Sequence, residues 1–229
     1  MFLFFPFRDV NRSRALPYVS WIIIGLCVAV HGYVMFLTSN TQDFFRTHGF
    51  APVLFSKLAL PAVIKHKPII LLSPITYMFV HGGLIHLISN MWAFWIYSDN
   101  VEERMGHVRF LFFYIICGLV AVATHYVTHR GDVTPVVGAS GALAGVMAAY
   151  LRLFPMARIQ CLLWFIIIIR IIEVPAMAVI VLWFVSQLMS ILGDSVGNVA
   201  WYAHIGGFVT GSWLTTRWFP RQSFRFMRW

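Results

Sequence analysis

Acidic side chains are scarce in this sequence: 8 Asp and Glu stand against 17 Lys and Arg in 229 residues, and only 11% of the chain is charged. A soluble domain is about one quarter charged. That shortage, with 60% hydrophobic residues and a mean hydropathy of +0.79, excludes a soluble globular fold. Cysteine is also rare. Cys27, Cys117 and Cys161 fall in or beside apolar runs with no C-x-x-C spacing, which excludes a disulfide framework and a zinc ribbon, so they read as small buried residues. There is no H-E-x-x-H, and His81 and His86 are poorly spaced to share a metal, so neither a metal nor a cofactor is expected. No internal repeat is evident, which counts against a small transporter whose histidines relay protons. The net charge of +9 is dispersed beside apolar stretches without forming a basic domain, so lipid and topology explain it better than nucleic acid. The apolar run at Phe2 to Phe7 is too short for a signal-peptide core, and no transit peptide or lipidation signal is seen.

What the chain does have is long apolar runs. The first, Tyr18 to Leu37, would be about 30 Å long as a helix and match a bilayer core. Thr38 to Leu72 reads as a long connection, still apolar enough to lie partly in the membrane interface. Pro74 is expected to open a second span reaching about Tyr97, closed by Asp99, Glu102 and Glu103, with His81 near its outer end. The third span runs from about Val108 to Tyr126. The fourth extends only from Ser140 to about Phe154, too short at about 22 Å to cross the core fully. Met156 to Val174 reads as a membrane-hugging connector, Pro175 to Leu192 as the fifth span and Trp201 to Trp218 as the sixth. Backbone groups in lipid must pair within the chain, so the expected fold is all-α: one six-span bundle over residues 18–218. It lies between an N-terminal segment, 1–17, and a basic tail, 219–229. Twelve of the 17 Lys and Arg fall on the side of the two termini. Arg46, Lys57, Lys65, Lys67 and Arg130 fall on the other, which puts both termini in the cytoplasm.

The polar residues inside the apolar stretches carry the chemistry. Ser140 stands between Gly138 and Gly141 where the fourth span begins. His204 lies in the first turn of the sixth, at nearly the same depth. A histidine can take a serine proton and return it to a leaving group, the assistance a serine nucleophile needs. His86 and Asn90, spaced i, i+4, share a helix face. Together with the Ser140 backbone N–H they could stabilise an oxyanion, although an interhelical hydrogen-bond pair explains them equally well. Gly141 and Gly145 on the fourth span, and Gly207 and Gly211 on the sixth, are G-x-x-x-G steps that permit close helix approach. Asp194 and Asp132 sit in loops, so a dyad is expected instead of a triad. His31, His125 and His129 read as structural or interfacial.

Assembled in this way, the sequence resembles the rhomboid intramembrane serine proteases. Gly138-Ala139-Ser140-Gly141 resembles the family's G-x-S-G motif. His86-Leu-Ile-Ser-Asn90 is similar to its H-x-x-x-N motif, with His81 as the additional histidine. Ala203-His204-Ile-Gly-Gly207-Phe-Val-Thr-Gly211 is similar to its A-H-x-x-G-x-x-x-G motif. The resemblance implies a six-helix core with a short central helix, and hydrolysis of single-span membrane proteins in or near their transmembrane segments without a metal. It also implies a gate made by the fifth span and the loop from about Gly193 to Ala200. Two features depart from the pattern. The first loop lacks a Trp-Arg pair, and Ala144 stands where some members place an aromatic residue against the histidine, so Trp201 or Tyr202 is expected to support His204. The expected setting is multi-pass in a bacterial inner membrane, with transmembrane substrates and the bilayer as partners. The rival within the same family is a catalytically silent scaffold that binds client helices.

Overall fold

The computed structural model describes residues 2–11, 13–56, 58–165, 168–192 and 201–220. The expected cap loop Gly193–Ala200, with Asp194, and the tail from Arg221 onward lie outside these residues. Helices dominate. In chain order they are α1 (Tyr18–Phe36), α2 (Thr41–His48), α3 (Leu60–His66), α4 (Ser73–Thr76), α5 (Leu84–Met105), α6 (His107–Thr128), α7 (Ser140–Leu153), α8 (Ala176–Leu192) and α9 (Trp201–Trp218). Of these, α1 and α6 are long and apolar enough to cross a membrane, as is the bent segment Pro68–Phe79 plus Leu84–Met105 if taken as one span.

That bent segment corrects the expectation of one helix from Pro74 to Tyr97. The chain passes through α4 and a 3-10 turn at Tyr77–Phe79, turns by 68°, and restarts at Leu84. His81 therefore lies at the break, ahead of α5 and not on it. Gly82 and Gly83 stand where a continuous helix would have to pass, each costing about 1 kcal/mol against alanine. At its other end α5 runs past the acidic residues to Met105, because two of them have partners there. Glu102 is fully buried and accepts the Val19 and Ser20 N–H groups at 2.9 and 2.8 Å and the Ser20 hydroxyl at 2.6 Å. It thus caps α1, whose N-cap residue is Pro17 and offers no side-chain cap. Glu103 accepts the Arg14 and Ala15 N–H groups.

The all-α expectation is also corrected. Phe2–Asp9 (β1), Arg158–Phe165 (β2) and Ile168–Pro175 (β3) form an antiparallel sheet in the order β1-β2-β3. The N-terminal segment and the expected connector are thus one structural unit. Half of its strand residues are β-branched or aromatic and fit a pleated surface. Pro6 is tolerated because β1 is an edge strand, and the register shifts beside it. Ile159 and Cys161 face inward, fully buried. Asp9 anchors β1 to the helices: its carboxylate accepts Tyr150 Oη–H at 2.6 Å, Asn100 Nδ2–H at 2.7 Å and the Asn11 N–H at 2.8 Å. The Thr38–Leu72 connection is likewise more ordered than a loop. It contains α2, α3 and 3-10 turns at Pro52–Phe55 and Pro68–Leu72.

At the centre is α7, 14 residues and about 21 Å long, with every residue from Gly141 to Tyr150 buried. It packs chiefly against α9 and also against α5 and α6. Small residues allow this approach. A Cβ on Gly207 would run into the Gly141 carbonyl, one on Gly211 into the Gly145 carbonyl, and one on Gly145 would come within 2.5 Å of Cys117 Sγ.

Candidate active site

Ser140 is the first residue of α7. The segment leading to it is held on several sides: Phe50 and Val136 exchange backbone hydrogen bonds at 2.9 and 2.8 Å, and the Gly138 N–H donates to the Tyr77 carbonyl at 2.9 Å. Tyr77 is itself fixed by its hydroxyl, which donates to the Gly118 carbonyl at 2.7 Å. Gly138 adopts φ +121°, a left-handed conformation that favours glycine. A Cβ there would also stand 2.8 Å from His86 Nε2. Both constraints select glycine at this position. Ala139, the N-cap residue, supplies no side-chain cap, so the N–H groups of the first turn lack intrahelical partners.

Across the α7/α9 contact, His204 Nε2 lies 2.7 Å from Ser140 Oγ. His204 is buried at 4% exposure, whereas Ser140 is half-buried. The imidazole is flanked by aromatic rings. Trp201 meets it edge-on at 5.8 Å between centroids, and Trp183, from α8, lies at 5.3 Å. Tyr202 turns the other way and packs on His129 at 5.2 Å, so of the two expected supports only Trp201 touches His204. The sequence reading missed Trp183, because a tryptophan in an apolar span carries no mark of the face it will present. His204 Nδ1 has no hydrogen-bond partner among the described residues.

The other candidate residues reach the site to different degrees. His86 is half-buried on α5 and its ring abuts Gly138. His81 packs against His86 at 5.2 Å, and its Nε2 accepts the Ala139 N–H at 3.5 Å, a long bond that touches the loop before Ser140. Asn90 is buried, but its amide donates to the His86 carbonyl on its own helix at 2.9 Å. The geometry therefore brings Ser140, His204, His86, His81 and Gly138 together and leaves the Asn90 side chain turned to its own helix. Gly141, Gly207 and Gly211 serve the helix contact. Chemically, an imidazole in hydrogen-bond reach of a hydroxyl, beside unpaired N–H groups at a helix start, is an arrangement that can assist nucleophilic attack and hold developing negative charge.

A membrane-embedded helical bundle that holds a serine against a histidine defines the class. The chain belongs to the rhomboid family: the Rhomboid domain model matches residues 71–221, well over half of the sequence. Among curated relatives, "RHOMBOID-like protein 6, mitochondrial" of Arabidopsis thaliana is 31% identical over 146 residues, 60% of this chain and 40% of that protein. "Presenilin-associated rhomboid-like protein, mitochondrial" of Bos taurus is 29% identical over 140 residues, 60% of this chain and 36% of that protein. "Putative rhomboid protease YdcA" of Bacillus subtilis is 35% identical over 77 residues, 34% of this chain and 38% of that protein. The match spans less than half of each of these relatives' own length.

Proposed function

We propose that this protein is an intramembrane serine endopeptidase that hydrolyses peptide bonds in or near the transmembrane segments of single-span membrane proteins. The observation that carries this reading is the 2.7 Å approach of His204 Nε2 to Ser140 Oγ inside a largely apolar bundle. In the proposed mechanism Ser140 attacks the scissile carbonyl while His204 takes its proton and later delivers it to the leaving amine. The Ser140 backbone N–H and the His86 side chain hold the oxyanion. Asn90 joins them once its amide releases the His86 carbonyl, and His81 positions the loop at Ala139. Gly138, Gly141, Gly207 and Gly211 fix the approach of the two catalytic helices.

The bundle is proposed to span the membrane six times within residues 18–218, with a short central fourth helix and both termini in the cytoplasm. The basic residues at 219–229 then sit on the cytoplasmic face. The fifth span and the loop from about Gly193 to Ala200 act as the gate. The bilayer and transmembrane substrates are its partners. The relatives' names divide between mitochondrial proteins and a Bacillus subtilis protein, so they lend the expected bacterial inner membrane no support.

The test is cleavage of a panel of single-span substrates by purified protein in proteoliposomes, comparing wild type with Ser140→Ala and His204→Ala. Each substitution should lower turnover by at least about 10³-fold, since members of such units act together. Equal cleavage by wild type and Ser140→Ala would sink the proposal and leave the silent scaffold.

A further inference from the structure

The turn between α5 and α6 carries an open groove of about 710 Å³ that the proposed proteolysis does not use. Met105, His107, Val108, Arg109, Phe112 and Trp218 wall it. It lies at the end of the bundle where Glu102 caps α1, the end proposed above to face the cytoplasm. Its chemistry is divided. Val108 and Phe112, 71% and 58% exposed, share one face of α6 and continue into the apolar stretch of that helix. Arg109 also lines it, its guanidinium 5.9 Å from the Trp218 ring centre and 5.7 Å from that of Phe219, within cation–π range.

Among the described residues no carboxylate pairs with Arg109. The two acids closest to it in sequence are engaged elsewhere: Glu102 is buried against Val19, Ser20 and His107, and Glu103 accepts the Arg14 and Ala15 N–H groups. A cation beside an apolar wall at a helix end matches a molecule with an anionic head and a hydrocarbon tail. The chain's own C-terminal stretch, 221–229, does not fit: it carries Arg221, Arg225 and Arg228 and no acid, so its charge opposes that of the groove.

We propose that this groove binds one anionic phospholipid, with its phosphate on Arg109 and an acyl chain along Val108 and Phe112.

The test uses full-length protein in phosphatidylcholine vesicles that contain increasing fractions of phosphatidylglycerol with brominated acyl chains, which quench nearby tryptophan. Wild type compared with Trp218→Phe isolates the signal of the groove. Trp218 should be quenched at low mole fractions of brominated phosphatidylglycerol, and brominated phosphatidylcholine should need a much larger fraction. Arg109→Gln should raise the half-quenching fraction about fivefold, as expected for one basic residue at an anionic surface, and Arg109→Lys should largely restore it. Inorganic phosphate at millimolar concentration should not compete if a lipid is the ligand. Native mass spectrometry of wild type and Arg109→Gln, both checked as folded by circular dichroism, should find one phosphatidylglycerol retained only by wild type. Equal quenching by the two brominated lipids, or an unchanged half-quenching fraction in Arg109→Gln, overturns the proposal. Displacement by inorganic phosphate overturns it in favour of a free-anion site. Truncation after Pro220 should leave quenching unchanged; stronger quenching on truncation would mean that the tail occupies the groove instead. None of these readouts depends on proteolysis.

Discussion

Gly207 on α9 lies directly against the Gly141 carbonyl on α7, closer than any side chain would allow. One turn above Gly207 in sequence is His204, and one residue before Gly141 is Ser140. The glycine contact and the 2.7 Å Ser140–His204 hydrogen bond therefore set one another.

Gly207→Ala should force the two helices apart at this point. Overpacking of this kind costs about 1–3 kcal/mol, read as a lower thermal midpoint in detergent. Proteolytic turnover should fall at least tenfold even at temperatures where the variant is folded. A variant with wild-type stability and turnover would show that the contact does not govern the Ser140–His204 distance.

Gly138→Ala combines a left-handed backbone with a collision against His86. A non-glycine residue in such a conformation costs about 1–2 kcal/mol before the collision is counted. The expected result is loss of turnover with a modest fall in stability. Covalent labelling of Ser140 by a serine-directed phosphonate, measured by mass spectrometry, should slow in parallel.

Glu102→Ala should be one of the more destabilising single changes at the α1 end. It leaves the part-buried Val19 N–H and the buried Ser20 N–H and hydroxyl without their acceptor, at roughly 1–3 kcal/mol per group before relaxation. A loss of about 3 kcal/mol in denaturant titration is expected, with Glu102→Gln milder because one carbonyl oxygen remains. A loss below about 0.5 kcal/mol for the alanine variant would contradict the capping role.

Asp9 makes stability depend on pH. Burial pushes its carboxyl up from 3.8 to about 7, against the hydrogen bonds from Tyr150 and Asn11 and with the charge of Asp99 adding to the rise. The folded chain thus holds this proton more tightly than the unfolded one. Its contribution is complete below about pH 4 and is lost as pH rises to about 7, a change of order 4 kcal/mol for a shift of this size. The thermal midpoint should therefore climb as pH falls from 7.5 to 5, and Asp9→Asn should flatten that slope. An equal slope in both proteins would assign the dependence to other groups.

Much of the site was legible in one dimension because its chemistry demands residue types that apolar spans otherwise avoid. Ser140 between glycines and the histidines at 81, 86 and 204 stood out for that reason, and the boundaries of α6, α7 and α9 followed from caps, prolines and charges. The sheet was not legible. Its strands are apolar on both faces for much of their length, and such runs look alike as buried helix or strand. The pairing that decides between them joins residues 2–9 to 158–165, far apart in sequence. Nor did the i, i+4 spacing of His86 and Asn90 reveal that the Asn90 amide would bond back to its own helix.

The sequence by itself determined that the chain enters a membrane as apolar helices and that a serine and a histidine stand among them, since transfer energies and helix rise depend only on local composition. Only the tertiary structure decided that Ser140 and His204 touch, that Trp183 and not Tyr202 lies beside the imidazole, and that β1 is latched to α5 and α7 through Asp9. Those relations depend on contacts between distant segments: backbone approach at Gly141 and Gly207, strand register, and the closing of buried hydrogen bonds.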